Sequence, residues 1–375
     1  MQQHPEKLKL AFLVRSLDFG GAQRQLVTLA KALDKSRFDI NILTFYSGQP
    51  LEKELAGTGV RVISLDKRGR WDLFPFLLRL LQQTKRLRPD IIHGYLDIPN
   101  LLALLLKPFV HARVVWGVRA SGMELRDYDW LLRLAGRLER LLARFPDLII
   151  VNSVAAREHH IAQGFPERRL VMIPNGIDTE MFQPDMEARA KLRGEWGIAE
   201  NTCLIGTVGR IDPVKDLSSF LRAAAIVSPQ RPDARFICVG TGSSGYEQQL
   251  ETLSADLGLT ERIIWADARS DAAAVYNSLD LLVSSSRSES FPNAVAEAMA
   301  CGVPCVVTDV GDSALLVGDC GIVVPTGNPE WLATGILAAI RTDADNNGRT
   351  RIIENFSDQQ LAKRTEEALT SLAKI

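Results

Sequence analysis

The sequence predicts an α/β protein of two doubly wound domains, and three observations carry that expectation. Apolar runs of strand length alternate with helical stretches along most of the chain, the pattern of parallel sheets covered on both faces. The order strand, short loop, helix opens the chain and recurs nearly two hundred residues later. With 375 residues, the chain is too long for one ordinary core and suits two.

The first domain begins with the buried strand "LKLAFLVRS", the turn "LDFGG" and the amphipathic helix "AQRQLVTLAKAL". The runs "INILTFY", "DIIHGYL", "RVVWGVR" and "LIIVNS" supply its further strands. The second domain repeats the plan with strand "CLIGTVG", loop "RIDPVKD" and helix "LSSFLRAAAIV", followed by "RFICVG", "RIIWAD", "DLLVSSS" and "PCVVTD". Between them "VMIPNGIDTEMFQPD" is punctuated by Pro174, Asn175, Gly176 and Pro184. The expected domains are therefore 1–173 and 174–355, with a helix over about 356–375 packing back on the first. Ligands of such sheets sit outside the carboxyl ends of the strands, and two domains face to face would hold one across a cleft.

Hydrophobic content of 46% and charged content of 24% are those of a soluble globular protein. The net charge of −1 hides an asymmetry: residues 1–190 carry 28 Lys/Arg against 21 Asp/Glu, and residues 191–375 carry 16 against 24. Opposite signs fit two lobes with different partners. The five cysteines (Cys203, Cys238, Cys301, Cys305, Cys320) lie mostly in apolar runs. An odd count in that setting predicts reduced thiols and a cytoplasmic address. Cys301 and Cys305 have no second Cys or His pair, so small core hydrophobes are expected rather than a metal or redox pair. "MQQHPEKLKLAFLV" passes from charge straight into a strand, unlike a signal peptide, and "LLALLLKPFV" is too short to span a bilayer.

Three loops carry candidate chemistry. In "GRIDPVKD", Asp212 followed by Pro213 reads as an N-cap and first helical residue, which puts Lys215 in the first turn and Arg210 just ahead. Cations there oppose the helix dipole by roughly 0.3–1 kcal/mol each, an arrangement that makes sense if an anion docks; the alternative is that both face water. Gly20 and Gly21 permit positive φ and close approach of a ligand to the backbone, though "LDFGGAQ" is not the dinucleotide fingerprint. In "SRSESFPNAVAEAMACGVPCV", Asn293 reads as an N-cap, with Glu297 one turn inside a nearly apolar helix and Glu289 in the loop before it. A buried carboxylate needs hydrogen-bond donors, from a sugar diol or from a structural group of the protein.

These pieces together resemble family 4 of the retaining glycosyltransferases of GT-B fold. "ESFPNAVAE" looks like that family's E-x7-E motif, "VGRIDPVKD" its diphosphate loop, "GGAQRQ" its N-terminal Gly-Gly loop, and "NSVAAREHH…IPNGID" its passage between domains. The resemblance implies two Rossmann-like domains facing across a cleft, and transfer of a sugar from a nucleotide-diphosphate sugar to a glycan or lipid-linked acceptor. It implies Glu289 at the reacting sugar, Glu297 on the ribose, the amides of Gly21, Phe291 and Asn293 near sugar and phosphate, and Arg210 and Lys215 on the leaving diphosphate. Gly20 shares the glycine loop. The family often has a first-domain His facing the sugar; here Arg119 takes that place, with His93 as the other polar candidate. No D-x-D metal site stands in the right loop, so neither a metal nor a cofactor is expected, the nucleotide sugar being a substrate. The rivals are a GT-B nucleotide-sugar epimerase and a non-catalytic nucleotide-sugar or glycan-binding subunit. No nucleic-acid partner is expected. The stretch 67–88, with seven Lys/Arg against one acid and Trp71, Phe74 and Phe76 interleaved, predicts weak contact with the inner face of a membrane, and 130–144 is similarly basic and amphipathic.

Overall fold

The computed structural model describes residues 7–69, 71–119, 130–341 and 347–374. The chain divides into two units, Met1–Gly176 with Asp358–Ile375, and Ile177–Ser357.

In chain order the first unit holds β1 (Leu8–Val14), α1 (Gly21–Ala32), β2 (Phe38–Thr44), β3 (Arg61–Ser64), α2 (Leu73–Leu87), β4 (Ile91–Tyr95), α3 (Asp97–Leu106), β5 (Arg113–Val118), α4 (Trp130–Leu142), β6 (Leu148–Val151), α5 (Val154–Ala162) and β7 (Leu170–Met172). Its seven strands are parallel, in the order β3-β2-β1-β4-β5-β6-β7. Successive residues of a strand face opposite sides. Accordingly Leu10, Phe12 and Val14 join one core with Leu26 and Leu29 of α1, while Leu13 joins another with Phe76 and Leu80 of α2, Ala103 of α3 and Ala143 just after α4.

The second unit holds α6 (Met186–Glu195), β8 (Cys203–Val208), α7 (Leu217–Val227), β9 (Ala234–Val239), α8 (Ser244–Asp256), β10 (Ile263–Ala266), α9 (Ala272–Ser278), β11 (Leu281–Ser284), α10 (Asn293–Ala300), β12 (Cys305–Thr308), α11 (Ser313–Val317), β13 (Ile322–Val324), α12 (Pro329–Arg341) and α13 (Gly348–Phe356). Six parallel strands run β10-β9-β8-β11-β12-β13. A bridge between Ile177 and Ser357 ties the ends of this unit together. The chain then returns to the first unit as α14 (Asp358–Ala373), where Leu361 and Leu369 enter the core beside α1 and Glu366 pairs with Arg37 at 2.7 Å.

The strands read from long apolar runs are present. Three that the sequence reading passes over are short: β3, β7 and β13 have three or four residues each and stand at or near a sheet edge. β3 (RVIS) is interrupted by polar residues, while β7 (LVM) and β13 (IVV) are apolar throughout but too short to stand out as the run of a central strand.

Candidate functional site

Strand order reverses between β1 and β4 in the first unit and between β8 and β11 in the second. Doubly wound sheets bind ligands outside the carboxyl ends of the strands at such reversals. The loop leaving β8 carries Arg210 and Lys215, and the loop leaving β11 carries Glu289.

The first of these loops needs glycine. Gly240, in the neighbouring loop after β9, has φ +153°, and a Cβ on it would lie 1.8 Å from the carbonyl oxygen of Gly209, which opens the β8 loop at φ +146°. Beyond it Asp212 accepts a hydrogen bond from the Val214 amide at 3.0 Å, which caps a single 3-10 turn, Pro213–Lys215. Asp216 follows with φ +46°, and only then does α7 begin. Lys215 is therefore not in the first turn of the long helix; the left-handed residue Asp216 separates the two. Arg210 is exposed, its Nε 3.4 Å from Asp212.

Lys215 reaches across to the β11 loop, where its Nζ lies 2.5 Å from Glu289 Oε1. The same oxygen accepts from the Ser286 hydroxyl at 2.8 Å. The two loops are joined along their length. Ser285 Oγ donates to the carbonyls of Lys215 and Asp216, and the Arg287 amide donates to Val214 O at 2.8 Å. Asp216 is buried and accepts from Ser218 Oγ at 2.7 Å and Ser219 Oγ at 2.8 Å, with Arg287 Nε 3.0 Å away. Burial opposes its ionisation, but the hydrogen bonds from Arg287, Ser218 and Ser219 outweigh that and hold the carboxyl below its ordinary range. Gly311, at φ +54°, lets a further loop close on this one: a Cβ there would be 2.1 Å from Glu289 O.

Helix α10 begins at Asn293, with Pro292 in the capping position. Asn293 is thus the first helical residue rather than the cap, because proline ahead of it fixes the entry and contributes no side-chain acceptor. Phe291 turns its ring into the core, 5.7 Å from Phe356. Glu297, one turn in, accepts from the buried Tyr276 hydroxyl at 2.6 Å. Burial, and then the Glu297 charge, hold the tyrosine hydroxyl far above its ordinary range, so it remains a donor. Cys301 below is pushed up to about 12 by burial and then by Glu297; a thiol in that state is no nucleophile.

In the first unit Gly20 and Gly21 are exposed at the start of α1. Neither uses positive φ, contrary to expectation: Gly20 is extended at φ 176° and Gly21 is helical, so their contribution is bare backbone rather than a special turn. Arg119, one residue beyond β5, donates from Nη1 to Asn175 Oδ1 at 2.8 Å and from Nη2 to the Tyr95 hydroxyl at 2.5 Å, with its guanidinium over the Tyr95 ring. His93 is corrected. It lies inside β4, fully buried against Phe12 and Tyr95, where burial and then Arg119 push its pKa down to about 3. A neutral imidazole sealed in the core is not placed to touch a substrate.

Several residues escaped the sequence reading. Asn100, buried in α3, donates to Gly117 O at 3.3 Å and accepts from Gly117 N at 3.2 Å, holding the end of β5 two residues before Arg119. Its Nδ2 also donates to Glu139 Oε1 at 2.6 Å. Glu139 is pushed up to about 8 by burial and then by Asp97, whose own carboxyl is also raised. No spacing rule joins residues from two helices, so only the fold reveals this pair. Among the described residues no cluster of three or more His, Cys, Asp or Glu has the grouping of a metal site.

Two doubly wound units, a cation-bearing loop after β8 and carboxylates on either side of the start of α10 are the architecture of a GT-B glycosyltransferase. Residues 19–181 match the family model described as Glycosyltransferase Family 4, and residues 202–342 that of Glycosyl transferases group 1. The chain is 27% identical over 393 residues to the D-inositol 3-phosphate glycosyltransferase of Thermobispora bispora, covering 94% of this chain and 90% of that one. It is 24% identical to the putative glycosyltransferase EpsF of Bacillus subtilis, over 80% and 79% of the two chains. The crystal structure of Anabaena HepE in complex with UDP-glucose matches with a TM-score of 0.84 at 24% identity, over 97% of this chain and all of the other. The chain belongs to glycosyltransferase family 4, within the group 1 glycosyltransferases.

Proposed function

We propose that this glycosyltransferase transfers a sugar from a nucleotide-diphosphate sugar to a glycan or lipid-linked acceptor with retention of configuration and without a metal ion. The observation that carries the reading is the joined pair of loops in the second unit, with Lys215 held on Glu289 and Glu297 held on Tyr276. An incoming diphosphate competes with Glu289 for Lys215 and adds Arg210, which the structure leaves exposed. When the bond between the sugar's anomeric carbon and the phosphate oxygen breaks, the electron pair stays on the phosphate. Once Lys215 and Arg210 have closed on the diphosphate, their charge at that oxygen lowers the barrier by stabilising the negative charge that develops there. This is the chemical ground for metal-independence.

Released from Lys215, Glu289 is available to the sugar, with Ser286 holding its orientation. Glu297 takes the ribose hydroxyls, for which the Tyr276 hydrogen bond keeps it in position. The exposed backbone of Gly20 and Gly21 and the amides of Phe291 and Asn293 are assigned to sugar and phosphate. Arg119 is assigned to sugar or acceptor recognition, its guanidinium held by Asn175 and Tyr95. UDP and UDP-glucose are the ligands named for Anabaena HepE, which makes uridine nucleotide sugars the first donors to try.

The test is incubation with UDP-sugars and a panel of acceptors, followed by NMR of the product's anomeric centre. Retained configuration in an acceptor-dependent product supports the reading. Inverted configuration contradicts the mechanism, and conversion of the donor sugar without acceptor points to the epimerase.

A further inference from the structure

We infer that α4, together with the start of α2 on the same side of the first sheet, is a docking surface for an anionic lipid bilayer. On α4 and the residues just after it, Leu134, Leu138, Leu141 and Phe145 form an exposed stripe. Arg133, Arg137, Arg140 and Arg144 repeat the same spacing one residue earlier, and all four are exposed. At 100° per residue the two stripes lie side by side along the helix. The one acid among these residues, Glu139, points the other way, buried against Asn100. No carboxylate pairs with any of the four arginines among the described residues.

The surroundings extend the surface. Phe76 and Leu80 of α2, Ala103 and Leu106 of α3, and Leu142 and Ala143 at the end of α4 share one core on the same side of the first sheet. Ten of the nineteen exposed large apolar side chains among the described residues lie between Trp71 and Phe145, on or beside these helices. Trp71 is 92% exposed and Phe74 71%, ahead of and within the first turn of α2, with Arg68 exposed nearby. Apolar exposure on this scale in one layer marks a docking surface. An apolar stripe beside a cationic one is the form of a helix lying in the plane of a bilayer, leucines at the acyl boundary and arginines at the phosphates. A second copy of the chain is the poorer occupant, since two such faces would bring eight guanidiniums together. The inference is independent of the catalytic reading, because it concerns a face of the first unit that carries none of the assigned site residues.

Sedimentation of the full chain with vesicles of phosphatidylcholine, or phosphatidylcholine with phosphatidylglycerol, tests it at low and high salt. Binding is expected to the anionic vesicles only, and to weaken with salt. Near an anionic surface each basic residue contributes about 1 kcal/mol, so Arg137→Gln with Arg140→Gln lowers partitioning about thirtyfold. Leu138→Gln with Leu141→Gln also loses binding, whereas Ile353→Gln, an exposed apolar residue of the second unit, leaves it unchanged. Circular dichroism confirms that the variants are folded. No sedimentation at low salt, equal binding by the variants and wild type, or a vesicle-free dimer abolished by the leucine variant would each overturn the proposal.

Discussion

Replacing Asp216 by alanine tests how the two loops of the second unit are held. The carboxylate is 1% exposed and gathers Ser218 and Ser219 of α7 and Arg287 of the β11 loop. Hydrogen bonds to a charged group each contribute about 1.5–3 kcal/mol. Arg287 is mostly exposed and returns to water, so its share is small. The two serine bonds then set a loss of about 3 kcal/mol. For a unit of this size that lowers the melting temperature by about 6–12 °C. Asp216→Gly retains the loss but relieves about 1 kcal/mol of left-handed strain, so it melts between alanine and wild type. The pH dependence has a definite sign. The folded carboxyl titrates below its unfolded value, so its contribution is present above about pH 4 and fades as pH falls through the folded pKa. Calorimetry of wild type and variants from pH 7 to pH 3 measures this. An alanine variant that melts with the wild type at pH 7, or a difference that widens in acid, would refute the reasoning.

Three further outcomes are expected. Glu139 is raised in the folded state, so its contribution is fully present below the unfolded pKa and is lost as pH rises through about 8; the melting temperature of Glu139→Gln should therefore gain on that of wild type from about pH 5 to about pH 8, and parallel curves would show that the Glu139 carboxyl is not raised in the folded protein. Lys215→Ala and Arg210→Ala should each weaken UDP binding about 10–100-fold in calorimetric titration, as expected for a lost charge-assisted contact, and unchanged affinity in both removes them from the diphosphate site. Activity should persist in EDTA; loss on chelation with recovery in magnesium or manganese would contradict cation-only catalysis.

The central strands were legible because burial on both faces writes an unbroken apolar run, as in "LKLAFLV". Edge strands of three or four residues write no such signal. The loops at the carboxyl ends were legible too, since "GRIDPVKD" and "RSESFPN" interrupt apolar runs with charge and glycine or proline. What each charge touches was not. Lys215 and Glu289 lie 74 positions apart, and Glu297 and Tyr276 lie on different helices. The sequence reading also assigned Asp212–Pro213 to the start of the long helix, because the cap chemistry is the same for a 3-10 turn; only the left-handed Asp216 separates the two. His93 misled in a different way. Its place in "DIIHGYL" suggested a strand end, whereas two more residues of β4 follow it and the ring lies buried against Phe12 and Tyr95.

The central claim is a division of labour between two carboxylates, and steady-state kinetics of Glu289→Gln and Glu297→Ala with a UDP-sugar donor test it most directly. A group at the reacting sugar acts on turnover, and one at the ribose acts on donor binding. The account predicts that Glu289→Gln loses kcat with little change in donor KM, and that Glu297→Ala raises donor KM. The same defect in both variants would contradict it.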